Sequence, residues 1–192
     1  VMRVGVFTGS RANYSSTKTI LLNLQSDPKI HLISIVGGAA SLDRYGSIHK
    51  VMELDGLPKP DYVFNMFIDG ESTADMAKSC GLGVMEMSTI LNNCSLDCLV
   101  VVGDRYDVMS AVIAAAYMNI PIVHTMGGEV TGTIDESIRH AITKFAHFHF
   151  VANEDARKRA IKLGEQSKNV FNVGCPRMDI VKEVIENNNL TT

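Results

Sequence analysis

The segment from residue 124 to 140 concentrates groups that can carry out acid–base chemistry beside glycines. It holds Glu129, Asp135, Glu136, Arg139 and His140. A carboxylate enclosed in a dry cleft, or crowded by other carboxylates, has a raised pKa and can accept a proton from a weakly acidic carbon. Glycines allow the backbone to approach a ligand closely. The glycines concerned are Gly127, Gly128 and Gly132. The segment therefore predicts a site that combines ligand binding with proton transfer.

Two structural explanations compete with this function on the helix predicted after the glycines. Asp135 and Arg139 lie four residues apart, so they could form only an ordinary salt bridge along one helix face. Thr133 and Glu136 have the Thr-x-x-Glu spacing of a capping box, which would occupy Glu136 at the helix start. A purely structural loop rarely gathers so many titratable groups beside glycines, and the pattern therefore favours function.

Two further glycine turns place charged residues directly after apolar runs. Arg11 follows Gly9, where a helix N-terminus and a forked cation would suit a phosphate or carboxylate. The alternative is a solvated turn with a surface arginine. Asp104 and Arg105 follow Gly103. The position of Asp104 also fits a helix N-cap, which is the structural alternative for this residue.

These turns are positioned by an alternation of short apolar runs with helix-length segments. Because continuous apolar runs are typical of strands buried on both faces, the pattern predicts a doubly wound, Rossmann-like parallel sheet. The predicted strands cover residues 4–7, 33–36, 62–64, 99–102, 120–124, 149–151 and 170–173. The predicted helices cover residues 15–24, 73–91, 108–118, 137–145 and 154–163. We expect one domain over residues 1–186, with 187–192 as a tail or the start of a linker. In such a sheet, ligands bind at the carboxyl ends of the strands.

Composition excludes several classes of function. A net charge of −3 with scattered Lys and Arg argues against a nucleic-acid partner. The apolar runs are too short for a signal peptide or a membrane span, so we expect no membrane partner and a cytoplasmic location. The four cysteines form no C-x-x-C pair, and their spacing matches neither a disulfide framework nor a zinc site. We expect Cys94 and Cys98 to be buried, and Cys175 to pack rather than to act as a nucleophile.

His147 and His149 would share one face of a strand, but no matching set of ligands accompanies them, so we expect no metal. Methionines on the segment 73–91 are expected to offer an adaptable apolar surface. They are Met76, Met85 and Met87.

The motif from Gly127 to Lys144 closely resembles the hydrolysing UDP-N-acetylglucosamine 2-epimerases of sialic acid biosynthesis. Residues 8–14, 103–107 and 173–176 are similar to the same family at the same relative places. Related nucleotide-sugar hydrolases of the legionaminic acid pathway look similar too. The resemblance covers essentially the whole chain, and the motif at 127–144 is its most specific part.

The resemblance implies one half of a glycosyltransferase-B-like fold, in which two Rossmann-like domains enclose the active site. This sequence would be the first domain, and a C-terminal nucleotide-binding domain would be missing from it. The implied reaction removes the C2 proton of a nucleotide sugar, expels the nucleotide to give a glycal, and adds water to release N-acetylmannosamine. The family needs no cofactor or metal and forms homo-oligomers through this domain. The isolated domain is expected to be inactive.

The resemblance also assigns roles to individual residues. Asp104, Glu129 and Asp135 are expected to be catalytic. Arg11 matches an arginine near the phosphates, and Arg139 matches one that contacts the substrate. The remaining residues of the expected substrate-binding set are Arg105, Gly127, Gly128 and His140.

One position departs from the family pattern. Met126 stands where many members carry Glu and others His, and a methionine cannot transfer a proton. Either the three carboxylates share the acid–base work, or substrate preference has changed. A catalytically inactive binding or regulatory module is the alternative function. A flavodoxin-like nucleotide-binding protein is a third, although no G-x-G-x-x-G follows the first strand.

Overall fold

A computed structural model describes residues 1–42, 48–68, 70 and 72–187 of the chain. These residues form a seven-stranded, fully parallel sheet in the order β3-β2-β1-β4-β5-β6-β7. The strands are β1 (Met2–Thr8), β2 (Ile30–Val36), β3 (Tyr62–Val63), β4 (Cys98–Val102), β5 (Ile122–Thr125), β6 (Phe148–Val151) and β7 (Val170–Asn172). Each predicted apolar run overlaps one of these strands, with differences of up to three residues at the ends, and the predicted fold class is confirmed.

Helices connect successive strands, with short 3-10 segments at Gly38–Ser41 and Ser167–Asn169. The α-helices are α1 (Arg11–Ser26), α2 (Ile48–Leu54), α3 (Thr73–Cys94), α4 (Tyr106–Tyr117), α5 (Ile134–Phe145), α6 (Glu154–Lys162) and α7 (Pro176–Asn187). The sequence pattern did not predict α2, which has only 7 residues. Of the predicted tail, residues 188–192 lie outside the described residues, and the expected domain boundary stays a prediction.

Two apolar cores cover the two faces of the sheet, as a doubly wound fold requires. Alternate residues of β4 point to opposite faces: Leu99 and Val101 pack with α3, α4 and α5, whereas Cys98 and Val100 pack with α1 and α2. All residues of β4 are nearly inaccessible to solvent, on both sides of the sheet. This two-sided burial explains why the strands are continuous apolar runs rather than alternating ones.

The cysteines and methionines test two of the predictions. Cys94 and Cys98 are buried free thiols, as expected. Met76 and Met85 are exposed, but Met87 is fully buried in the core beneath α3, so its expected place on an adaptable surface is wrong. The methionine surface is therefore narrower than predicted.

Two kinds of feature are not found in the part of the chain that the structure describes. None of its helices is both long and apolar enough to cross a membrane. Nor do three or more His, Cys, Asp or Glu side chains gather where they could hold a metal ion. The two paired histidines contact the protein instead: His149 Nε2 lies 3.1 Å from Glu165 Oε2, and His147 Nδ1 accepts a hydrogen bond from the Ile122 amide.

Candidate active site

A cleft opens where the order of the strands reverses, at the carboxyl ends of β1 and β4. The connection after β1 runs toward one edge of the sheet, to β2, and the connection after β4 runs toward the other edge, to β5. A gap therefore opens between the two connections. Asn13 holds the two strand ends together. Its Nδ2 donates to the Val102 carbonyl at 2.7 Å, and its Oδ1 accepts from the Gly9 amide at 3.2 Å. Asn13 was not among the predicted site residues, although it lies in the first glycine turn.

The cleft encloses about 280 Å³, and four of the predicted site residues line it. They are Asp104, Arg105, Glu129 and Arg139. Met126, Cys175 and Arg177 line it as well. Residues that follow β4, β5 and β7 therefore meet in one space, as the strand-end argument predicts.

An ion pair between Arg139 and Asp104 forms one wall of the cleft. Arg139 is 5% exposed, and its Nη1 also donates to the Glu129 carbonyl at 2.7 Å. Its guanidinium therefore pairs with Asp104 rather than with Asp135, so the simple helix salt bridge does not form. Nor does Asp104 act as the helix N-cap. Residue Arg105 takes that position in α4, without a side-chain capping bond.

Glu136 has a structural task, but not the predicted one. Thr133 is the N-cap of α5 and makes no side-chain capping bond, so the expected capping box is wrong. Glu136 Oε2 instead accepts from the amides of Thr131 and Gly132, each at 2.7 Å. These bonds hold the pKa of Glu136 below its usual value because they stabilise the ionised form. The Nε2 atom of His140 lies 3.8 Å from Oε1 of Glu136.

Five predicted site residues lie outside the lining of the cleft, two of them the loop glycines Gly127 and Gly128 and the other three on helices. Asp135 is partly exposed in the first turn of α5, one turn before Arg139. Arg11 is exposed at the first position of α1, and His140 is partly exposed beside Glu136. All three belong to helices that begin at the cleft edge of the sheet.

Gly127 and Gly128 are buried, and the space that they leave is filled by the protein itself. A Cβ on Gly128, whose φ is +77°, would lie 2.3 Å from the Ala156 carbonyl oxygen. A Cβ on Gly127 would lie 2.9 Å from His124 Nδ1. The glycines therefore allow the loop to pack on α6 and on His124, and neither lines the cleft.

His124 is fully buried beneath the loop and links two of its supports. Its Nε2 lies 2.9 Å from the Gly103 carbonyl oxygen, and its Nδ1 lies 3.3 Å from Thr143 Oγ1. Burial lowers the pKa of His124 to about 4, so the ring is neutral at neutral pH. The neutral ring can donate from Nε2 and accept at Nδ1, which fixes the turn that carries Asp104. The sequence analysis did not select His124, although a histidine at the end of a predicted buried strand could have indicated this role.

Asp107 is a second buried group that the sequence analysis did not select. Its Oδ1 accepts from the Val108 amide at 2.8 Å, and its Oδ2 lies 3.5 Å from Arg105 Nε. Burial raises the pKa of Asp107, while the nearby guanidinium opposes that rise. A Cβ on Gly9 would lie 2.7 Å from its carboxyl carbon. Asp107 therefore supports both the first glycine turn and Arg105.

Met126 lines the cleft in a left-handed backbone conformation, with φ at 68°. Its thioether offers no proton, so the titratable groups of this wall are those of its neighbours. Asp104 and Glu129 are the carboxylates that line the same space.

Comparison with known proteins gives the same family over most of the chain. The family model for UDP-N-acetylglucosamine 2-epimerase matches residues 22–191. A UDP-N,N'-diacetylbacillosamine 2-epimerase (hydrolyzing) of Legionella pneumophila is 32% identical over 95% of this chain and 48% of its own length. Polysialic acid biosynthesis protein P7 of Escherichia coli is 36% identical over 87% of this chain and 43% of its own. The chain spans about half the length of the curated relatives it matches.

Solved structures share the fold. A Neisseria meningitidis UDP-GlcNAc 2-epimerase bound to UDP-GlcNAc has a TM-score of 0.85 at 21% identity, over 97% of this chain and 50% of that one. Acinetobacter baumannii MurG has a TM-score of 0.59 at 9% identity, over 81% and 42% of the two chains. The fold is therefore one half of a glycosyltransferase-B-like architecture.

Proposed function

Since this chain belongs to the UDP-N-acetylglucosamine 2-epimerase family, we propose that it is the N-terminal half of an enzyme that hydrolyses UDP-N-acetylglucosamine. The products are N-acetylmannosamine and UDP. The hydrolysing subtype is supported by the names of two relatives, from Legionella pneumophila and Campylobacter jejuni. A second, nucleotide-binding domain completes the active site in this proposal.

The reaction proceeds through two steps. In the first, a carboxylate takes the C2 proton while the bond between C1 and the diphosphate oxygen breaks, and that oxygen keeps the electron pair. A glycal forms. In the second, water adds across the glycal: a proton goes to C2 from the opposite face, hydroxide goes to C1, and the carboxyl group that took the first proton releases it to solvent. The free sugar then leaves with inverted configuration at C2.

Asp104 and Glu129 are the carboxylates best placed for this proton transfer, because both line the cleft. Arg139 orients Asp104 through their ion pair and fixes the loop through the Glu129 carbonyl. Asp135 remains in the proposed catalytic set. It lies in the first turn of α5, one turn before Arg139, although it does not line the cleft of this domain alone.

Substrate binding is proposed for the positive groups at the same edge. Arg105 lines the cleft, while Arg11 begins α1 at its margin. His140 completes the proposed set together with Gly127 and Gly128, whose close packing shapes the loop that carries Glu129. The single observation that carries the proposal is the convergence of Asp104, Glu129 and Arg139 in one cleft.

The test is release of N-acetylmannosamine from UDP-N-acetylglucosamine by this chain together with the C-terminal domain of the Legionella relative, fused or supplied in trans. Asp104→Asn and Asp135→Asn should each lower kcat by at least about a hundredfold, as expected for loss of a general acid or base. The control is Asp155→Asn, at an exposed position of α6. Full activity in both aspartate variants would disprove the assignment.

The position of Met126 in the cleft favours one other function, a nucleotide-sugar-binding module without catalysis. Such a module would bind UDP-N-acetylglucosamine in the same assembly without releasing the sugar. Met126→Glu would then create hydrolysis where the unaltered chain has none. In the proposed enzyme, the same substitution is not needed for turnover.

Two broader properties accompany the proposed enzyme. Homo-oligomerisation through this domain, with the exposed Met76 and Met85 on α3 in the interface, is proposed by analogy with the family. A cytoplasmic location, where nucleotide sugars are made and consumed, is proposed as well.

A further inference from the structure

Three guanidinium groups reach the cleft, and they differ in their partners. Arg139 pairs with Asp104, and Arg105 Nε lies 3.5 Å from Asp107 Oδ2. Arg177 has neutral partners: its Nε donates to Ser16 Oγ and its Nη2 to the Ala12 carbonyl, both at 2.9 Å. Within the described ranges of the chain, no carboxylate is in ion-pair distance of Arg177. Its positive charge is therefore not neutralised by any carboxylate in those ranges.

Arg177 is held in place by a different helix. It is the second residue of α7, and its two acceptors lie four residues apart on α1. Two bonds to one rigid helix fix the plane of the guanidinium. They use two of the five N–H donors of an arginine, so the remaining donors are available to a ligand.

The charges of the cleft are divided between two sides. Helix α1 packs on one face of the sheet, and α5, which carries Arg139, packs on the other. The side of Arg139 holds the carboxylates Asp104 and Glu129, and an anion placed there would be repelled. The side of Arg177 offers an uncompensated cation. A ligand with a neutral sugar and an anionic group would bind with its anion toward Arg177.

We propose that Arg177 binds the diphosphate of the substrate and stabilises the charge left on the diphosphate oxygen when its bond to C1 breaks. The electron pair of that bond stays on the departing oxygen, the C2 proton goes to a carboxylate, and Arg177 keeps its own proton throughout. A fixed donor aimed at a developing negative charge lowers the barrier without having to reorganise. This inference rests on the proposed function for the identity of the diphosphate.

The first experiment titrates inorganic pyrophosphate into the 192-residue chain, and calorimetry and NMR follow the binding. Arg177→Gln should weaken binding at least about tenfold, since hydrogen bonds to a charged group are lost. Lys158→Gln removes the same charge from an exposed position of α6 and should leave the affinity unchanged. If Arg177 served only to hold α7 on α1, Arg177→Gln would lower the unfolding temperature but leave pyrophosphate affinity as it was, and the inference would be overturned.

A second measurement follows binding in the unaltered chain, with the conservative variant Arg177→Lys used only to assign one resonance. In the unaltered chain, the Nε–H resonance of Arg177, recognised by its absence from the spectrum of Arg177→Lys, should shift saturably with pyrophosphate. A resonance that does not move, or a chain that does not bind pyrophosphate, contradicts the inference.

Turnover in the two-domain assembly separates this inference from the proposed function. Arg177→Gln should lower kcat as well as raise KM, because the contact strengthens in the transition state. If the assembly is active and Arg177→Gln leaves kcat/KM unchanged, the proposed role of Arg177 is disproved but the proposed function is not. If the assembly is inactive but its pyrophosphate binding still depends on Arg177, the proposed function is disproved, and Arg177 remains a residue that binds anions.

Discussion

Arg139 and Asp104 form a partly buried ion pair across 35 residues of sequence, joining the helix after β5 to the turn after β4. The pair connects two separate strand–helix units at the edge of the sheet. Arg139 also donates to the Glu129 carbonyl, so one guanidinium sets the positions of three parts of the cleft. A change at Arg139 should therefore alter stability and the cleft together.

We predict that Arg139→Met destabilises the domain by roughly 3 kcal/mol, because it leaves a largely buried carboxylate without its partner. Asp104→Asn should cost less, since the amide can still accept a hydrogen bond. Urea unfolding of the two single variants and the double variant measures the coupling. Additive losses would show that the two side chains do not interact in solution.

The stability of the domain should fall as the pH is lowered from about 6.5 to about 4, in part because of His124. The folded-state pKa of His124 is about 4 and its ordinary value is 6.5, so the unfolded chain binds the extra proton first as pH falls. The neutral buried ring contributes its full stability above pH 6.5, and roughly 3 kcal/mol is lost by pH 4. Urea unfolding at several pH values measures the loss.

The control is His124→Gln, which keeps a donor and an acceptor but cannot be protonated in this range. Its stability should depend less on pH than that of the unaltered chain. The lowered pKa of buried His149 acts in the same direction, so some dependence remains in the variant. Equal slopes in the two proteins would mean that His124 does not titrate as described.

Gly128→Ala should destabilise the domain far more than Gly132→Ala, although both glycines have positive φ. Both substitutions cost about 1 kcal/mol for the left-handed conformation. At Gly128, the added Cβ also meets the Ala156 carbonyl oxygen at 2.3 Å, while at Gly132 no atom lies within 4 Å. We expect a total loss of roughly 3 kcal/mol at Gly128. Thermal unfolding of the two variants compares them, and similar losses would contradict the close packing of the loop on α6.

Self-association of the chain is predicted to involve the exposed side chains of Met76 and Met85 on α3. Met85→Lys should shift the weight-average mass toward the monomer in sedimentation at high micromolar concentration, because a charge would be buried in the interface. The matched control is Met178→Lys, which changes an exposed methionine on α7. A single monomeric species of the unaltered chain would rule the interface out.

The fold was predictable because its strands are buried on both faces. The apolar run of β4 reads as a central strand without any knowledge of its neighbours, and it is one. The short helix α2 was missed because 7 residues give little periodicity. The face of a helix that meets the core was harder to predict, as Met87 shows, since packing against a neighbouring helix decided it.

The sequence was enough to predict where the site lies, but not which side chains contact one another in it. Strand-end turns identified Asp104, Glu129 and Arg139, which share the cleft. Sequence spacing suggested local partners for Arg139 and Glu136. Arg139 instead pairs with Asp104, which follows another strand, and Glu136 accepts from two loop amides. Arg177 was missed because its partners lie more than 160 residues away on α1. Such long-range choices depend on the crossing of α7 over α1, which no local pattern records.

Finally, we predict that the 192-residue chain alone does not turn over UDP-N-acetylglucosamine, whereas its assembly with a second domain does. Alone, the cleft is open on one side, so water reaches the carboxylates and the nucleotide is not positioned. A carboxylate surrounded by water is a weaker base toward a carbon-bound proton than one enclosed in a dry cleft. The assay is release of free 2-acetamido sugar, with the Asp104→Asn assembly as the background control. Robust turnover by the chain alone would overturn this prediction and would mean that one wall of the cleft is sufficient for catalysis.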